Sequence, residues 1–400
     1  MSLKEAIQML RDGNPSGGHD VYEALLEGEA LGEHAAIVKQ WAYEHQDETT
    51  RHHLVQAWSF HCLQTKDLAS LKQLIQSGDD AYERALNAFE PAWRRDMLPD
   101  GEEIHEFLLA GLQSESVQVR YKACRVLCDL ADRQYDLAPL MDAVLPLLHD
   151  HAKTGWGPIL VSWPATAVLY HATLRENTRE QAAALLKKYM TDRDKKTALR
   201  CASSYAHYLV DRQDFEALDS LLHHPLKLYR LGAAEGLARA IYEIEVELDL
   251  SFIQNNLTKT AGGKLKARHQ IIQGKITVEP FDFPPVRDRL ILLLQDAALD
   301  IQQTAADALR EARIKKNLDV SAAIPALCLC LHTGNAAAQQ SVCLTLSRAL
   351  YTEPAQTIEA VIRELEQLES HSNKKVRQEA ASALHAASSQ LSKRLAEESI

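Results

Sequence analysis

A nine-residue phrase recurs along this chain, and it limits what the chain can fold into more than any other feature. Residues 119–127 read Val119-Arg120-Tyr121-Lys122-Ala123-Cys124-Arg125-Val126-Leu127: an apolar residue, a basic one, small residues at places five and six, and a large apolar ninth. Residues 376–384 repeat the grammar with Val376, Arg377, Ala380, Ala381 and Leu384. Further copies begin at Val161, Tyr229, Ile301 and Ala338, and weaker ones at Thr50, Ala81 and Thr197. Steps of four residues stay on one face of a helix, so places one, five and nine form a single apolar stripe, and the small pair beside it admits a close neighbour. Copies start 31 to 42 residues apart, except for one interval of 72 between Tyr229 and Ile301. That interval is two periods long, which implies a copy missing or rewritten near residue 265.

Each phrase follows a second amphipathic segment, as at 104–112, 141–148, 287–294, 322–331 and 358–368. Short polar joints such as Gln113-Ser114-Glu115-Ser116 and His332-Thr333-Gly334-Asn335 separate the two. Helices joined this tightly must form antiparallel hairpins, and a hairpin that cannot bury both faces alone must stack on its neighbours. The phrase resembles the second helix of HEAT repeats. Leu145-Pro146-Leu147-Leu148 and Ile324-Pro325-Ala326-Leu327 resemble the first helix of that family, which often carries an internal proline that bends it. The resemblance runs from about residue 33 to 395. It implies an all-α, right-handed α-α superhelix, an armadillo-like solenoid of about ten antiparallel helical hairpins. In similar proteins the arginine at place two, here Arg120, Arg230 and Arg377, pairs with a neighbouring repeat and serves the scaffold.

Composition agrees with a helical class. The 400 residues are 46% hydrophobic and only 6% aromatic, with 16 Gly and 13 Pro. The first 14 residues are charged, without the apolar run of a secretory signal, and no apolar stretch is long enough to span a bilayer. Seven cysteines, an odd number, lie mostly within apolar helical patterns, which points to reduced, buried thiols and a cytoplasmic protein. Residues 1–110 hold 20 acidic against nine basic residues, while the other 290 balance at 35 each. The expected organisation is therefore an acidic, degenerate set of repeats over 1–110, HEAT-like repeats over 111–250, an irregular basic insertion or rewritten repeat over 251–285, and regular repeats over 286–400.

Two departures from the repeat are candidate sites. Between Asp249 and Glu279 there is no acidic residue, whereas Lys259, Lys264, Lys266, Arg268 and Lys275 are basic. One reading makes Lys264, Lys266, Arg268 and Lys275 a dock for an acidic partner or phosphate, and the other makes them a solvated surface. In 149–164, Gly157, Pro158 and Pro164 mark a long loop flanked by Trp156 and Trp163, which are either partner anchors or core residues.

Catalytic and metal chemistry find little support. Gly262-Gly263-Lys264 lacks the first glycine and the following Ser/Thr of a phosphate loop. No CxxC occurs, and His45, His52, His53 and His61 lack ligand spacing on one helical face. Deoxyhypusine hydroxylases share a HEAT-like architecture but hold iron with repeated His-Glu pairs, of which this chain has His105-Glu106 alone. DNA-alkylation-repair glycosylases of similar fold line a basic face with aromatics, for which Trp156, Trp163, Arg200 and Arg230 are conceivable counterparts. The leading reading is a non-catalytic adaptor, without cofactor or metal, that holds a protein or peptide on the concave surface of the solenoid. The alternative is a nucleic-acid-binding or base-excision protein acting through residues 259–275. No membrane association is expected.

Overall fold

The computed structural model describes residues 1–95, 97, 102–131, 135–154, 160–242 and 282–398. The chain divides into two compact units, Met1–Leu185 and Leu186–Ile400. Among the described residues all regular structure is helical, apart from one isolated antiparallel bridge between Lys153 and Leu160.

In the first unit, α1 (Leu3–Arg11), α3 (Ala35–Glu44), α5 (Leu68–Ile75), α8 (Glu102–Leu112) and α10 (Met141–Val144) are first helices of hairpins. Their second helices are α2 (Gly17–Leu26), α4 (Glu48–Thr65), α6 (Asp79–Asn87), α9 (Val117–Ala131) and α11 (Ser162–Thr173). Each second helix packs on the next, from α2 through α4, α6 and α9 to α11. A short α7 (Phe89–Arg94) is interposed against α4, α6 and α9.

The second unit repeats the scheme. α12 (Arg179–Tyr189) crosses the boundary between units and precedes α13 (Lys195–Asp211). The hairpins that follow are α14 (Phe215–Leu222) with α15 (Lys227–Tyr242), α16 (Phe283–Leu293) with α17 (Leu299–Ile314), α18 (Ile324–Thr333) with α19 (Ala336–Ala349), and α20 (Ala355–Glu366) with α21 (Lys374–Glu398). The second helices α13, α15, α17, α19 and α21 again form one continuous stack.

The phrase sits in these second helices because its stripe is the core. Val119, Ala123 and Leu127 are fully buried, as are Ile301, Ala305 and Leu309, and Ala338, Val342 and Leu346. The small pair is buried in the copies that have neighbours on both sides, though Ala381 of the last copy is exposed, and this explains much of the cysteine usage: Cys124, Cys201 and Cys343 stand where close packing needs a small apolar side chain. All seven cysteines are free, and only Cys328 is more than marginally exposed. Burial pushes the thiols of Cys62, Cys201 and Cys343 up to about 12.

Three expectations change. The first hairpin, α1 with α2, lies upstream of the recognisable repeats, because α2 makes its close approach at Gly17 and Gly18 in its first turn and not at a mid-helix Ala pair. Pro325 does not bend a helix interior. It stands in the first turn of α18, after a 3₁₀ turn over Ser321–Ala323, where the absent N–H would have had no partner. Pro146 likewise opens the 3₁₀ stretch Leu145–His149 that continues α10.

The place-two arginines tie layers together. Arg120 donates from Nε to Asp150 Oδ2 at 2.7 Å and from Nη1 to the carbonyls of Ser114 and Glu115. Arg230 repeats this with Asp296 at 2.6 Å and the carbonyls of His224 and Pro225. Arg377 keeps the carbonyl half of the pattern, donating to His371 and Ser372. At the same place Gln302 donates to Asp296 O and Gln339 to Leu331 O. A rewritten copy near residue 265 would fall outside the described residues. Among those described, α15 packs directly on α17 and α14 on α16, and Lys227 Nζ reaches Asp300 Oδ2 at 2.6 Å.

Candidate partner-binding surface

Places four, seven and eleven of the phrase are spaced three and four residues apart, so they form a second stripe on each second helix, distinct from the core stripe. Its residues are mostly polar. In the first unit α9 contributes Lys122 and Arg125. Burial holds the Lys122 amine below its ordinary range, although Glu83 on α6 pulls it the other way. On the preceding layers His52 Nε2 lies 2.7 Å from Asp80 Oδ2 and 3.7 Å from Glu48, and Arg84 Nε lies 3.7 Å from Asp80.

In the second unit the stripe contains Arg200, Ser203 and His207 on α13, Glu235 and Arg239 on α15, Asp307 and Glu311 on α17, and Ser341 and Arg348 on α19. Neighbouring layers meet through it. Arg239 Nη1 donates to Ser204 Oγ at 3.4 Å, Arg310 Nη1 to Ser341 Oγ at 3.0 Å, and Ser341 Oγ to Asp307. Burial pushes the Glu235 carboxyl above its ordinary range, and the Arg239 and Arg200 guanidiniums only partly oppose this. A carboxyl raised on folding favours the folded state when protonated. Its contribution is full below the unfolded value near 4.5 and is lost as pH rises through the folded value. Glu235→Gln is therefore expected to melt at a higher temperature than the parent at pH 7, with the two converging below about pH 4. Thermal melts across pH 4–7 check this, and equal melting at pH 7 would refute it.

Chemically, the accessible part of the stripe offers the guanidiniums of Arg200, Arg239 and Arg348 and the carboxylates of Glu235 and Asp307, while Ser203, His207, Glu311 and Ser341 are buried between the helices. Among the described residues no group of three or more His, Cys, Asp or Glu stands together to hold a metal ion, and no helix is long and apolar enough to cross a membrane.

No family model and no curated relative matches this sequence. Solved structures do. A complex of Kap95 with Nup1 aligns at a TM-score of 0.55 with 12% identity, covering 94% of this chain and 49% of that one. The karyopherin Kap121p, bound to the extreme C-terminus of the protein phosphatase Cdc14p, aligns at 0.51 with 15% identity, covering 98% and 43%. Kap95p with RanGDP aligns at 0.51 with 12% identity, covering 97% and 50%. These karyopherins are HEAT-repeat solenoids. By fold, this chain is a HEAT-repeat α-solenoid. It spans about half the length of the karyopherin chains it matches.

The solenoid places the residues singled out from sequence unevenly. Trp163 stands in the first turn of α11 with 55% of its surface exposed, so it is not a core residue. Upstream of it Lys153 and Leu160 form an isolated antiparallel bridge, and Ser162 N–H donates to Asp150 O at 3.0 Å. Trp156, Lys264, Lys266, Arg268 and Lys275 lie outside the described residues. Of the conceivable counterparts of a glycosylase site, Arg230 is engaged by Asp296 and Arg200 belongs to the α13 stripe. The signal for the stripe in the sequence is weak, because its fourth and seventh places are charged in some copies, as at Lys122, Arg125, Arg200, Glu235 and Asp307, and uncharged in others, as at Gly232, Ser203 and Leu344.

Proposed function

We propose that this chain is a scaffold that binds a protein or peptide partner along the polar stripe of its second helices and catalyses no reaction. The observation that carries the reading is the stripe itself, a row of half-buried charges of both signs running from α13 to α19. Such a row matches the alternating donors and acceptors of a polypeptide, and stacked repeats offer it over a length no compact domain of equal mass provides. The similar solenoids are seen in complex with protein partners, Cdc14p and Nup1, which supports the same use here. The basic residues Lys264, Lys266, Arg268 and Lys275, with Trp156 and Trp163, are proposed as a further contact for an acidic segment of the partner. A cytoplasmic location is proposed with it, in keeping with seven free thiols.

Affinity capture from native lysate, followed by cross-linking and mass spectrometry, tests the reading. The expected result is a protein cross-linked to α13, α15 or α17, whose capture falls about tenfold when Arg239 and Arg310 are both replaced by Glu. Capture unchanged by that double replacement, or recovery of small molecules alone, would overturn it.

A further inference from the structure

On the consecutive layers α15, α17 and α19, place fourteen of the phrase falls at or just past the C-terminal end of the second helix and is occupied by Tyr242, Ile314 and Tyr351, the last of these in the 3₁₀ turn Leu350–Thr352. These side chains are 45%, 44% and 45% exposed, whereas Val210, at the same place on α13, is buried. Contacts between the helix ends hold the three in one row. Tyr242 feels the charges of Asp307, Glu311 and Arg310 on α17. Arg313, in the last turn of α17, donates from Nε and Nη2 to Arg348 O at the end of α19, at 3.0 and 2.9 Å. Tyr351 O in turn accepts from Gln390 and Arg394 of α21.

We propose that this row docks an acidic, proline-rich segment in the polyproline II conformation, with one apolar side chain seated on each layer. The spacing selects the conformation. Packed helices lie about 8–10 Å apart, and a polyproline II helix rises about 9.3 Å per turn of three residues, so every third side chain meets the next layer. An extended β-strand alternates every second residue, about 6.6 Å apart, and falls out of step within one layer. Two of the three seats are tyrosines, which suit the flat faces of proline rings. Charge selects the acid. Arg313 and Lys316 flank Ile314 in sequence and Arg313 is joined to Arg348 O near Tyr351, whereas Lys315 is paired with Glu311 at 3.0 Å, and Asp307 and Glu311 lie beside Tyr242, so the acidic residues of the ligand belong at the Tyr351 end. The edge shares Asp307, Glu311 and Arg348 with the polar stripe, but its three seats, Tyr242, Ile314 and Tyr351, lie outside that stripe.

Fluorescence anisotropy with a labelled peptide of repeated Glu-Pro-Leu, four turns or about 12 residues long, tests the proposal on the full chain. Saturable binding is expected, weakening about tenfold in Ile314→Asp and in Tyr351→Ala, and weakening with added salt. A peptide of the same composition with the leucines out of the three-residue register, and one with Lys for Glu, should bind at least about tenfold more weakly. Both variants change exposed side chains and should keep the parent's circular dichroism and melting temperature. Equal binding of the scrambled peptide, no binding of the Glu-Pro-Leu peptide, or binding unaffected by both substitutions overturns the proposal. So does a concentration-dependent dimer abolished by Ile314→Asp, which would assign the edge to a second copy of the chain.

Discussion

Gly236→Val is expected to destabilise the second unit by about 3 kcal/mol, and Gly236→Ala by less but still in the unfavourable direction. The reason is the contact between α13 and α15. A Cβ at residue 236 would lie 2.6 Å from Ser203 O, 2.6 Å from Ala206 Cβ and 2.8 Å from His207 N, and two of these three are backbone atoms. One turn earlier, a Cβ at residue 232 would lie 2.5 Å from Ala202 Cβ. Ala202, Ser203 and Ala206 are fully buried, so none can swing aside into solvent. Two effects compete in the alanine variant. Exchanging glycine for alanine inside a helix gains about 1 kcal/mol of intrinsic propensity. Pushing two close-packed helices apart costs about 1–3 kcal/mol, and α15 also carries the contacts to α14 and α17 that the shift would disturb. The packing cost wins, more decisively for the branched valine. Urea titration followed by far-ultraviolet circular dichroism measures it, and Gly236→Ala at or above parent stability would show that the helices are free to separate.

That close approach shows where sequence reading succeeds and where it stops. The core stripe was legible because places one, five and nine must stay apolar in every layer that has neighbours on both sides, and Val119, Ile301 and Ala338 obey this with full burial. The arginine at place two was legible for a similar reason: its partners are turn carbonyls, which exist whatever the neighbouring side chains are. Gly232 and Gly236 are four residues apart on one face and mark a close helix contact, yet they flank Ala233, Ala234 and Leu237 in a phrase that already accounted for the helix. The interposed α7 left no trace, since six residues added between repeats 38 apart fall within the ordinary scatter of the period. The candidate surface was least legible. Partly exposed places are not held by the core to one residue type, so Arg200, Glu235, Asp307 and Arg348 share a stripe without sharing a residue type. Only their three- and four-residue spacing survives as a signal.

Arg230→Ala is expected to cost about 3 kcal/mol, because it breaks the link between the α14/α15 and α16/α17 layers and leaves a carboxylate behind. The Arg230 side chain is 20% exposed and that of Asp296 only 9%, with Nε to Oδ2 at 2.6 Å and Nη2 to Oδ1 at 3.2 Å. This two-point contact has a geometry that lysine cannot reproduce. Burial pushes the Asp296 carboxyl up, but hydrogen bonds from Arg230 and from the Ala298 N–H outweigh it and hold the carboxyl below its ordinary range. A carboxyl lowered on folding stabilises the folded state above its unfolded value near 3.8, and that contribution is lost as pH falls through the lowered folded value. The stability gap between parent and Arg230→Ala should therefore be full at neutral pH and narrow below about pH 4. Arg230→Gln should fall between the two, since Gln302 shows that an amide at this place still reaches a turn carbonyl. Removing both partners in Arg230→Ala/Asp296→Ala should recover part of the loss, because much of the cost of the single change is the unpaired buried charge. Urea titrations of the four proteins at pH 7 and pH 4 decide the matter. A single variant within about 0.5 kcal/mol of the parent at pH 7 would mean that the layers are held by their apolar faces alone.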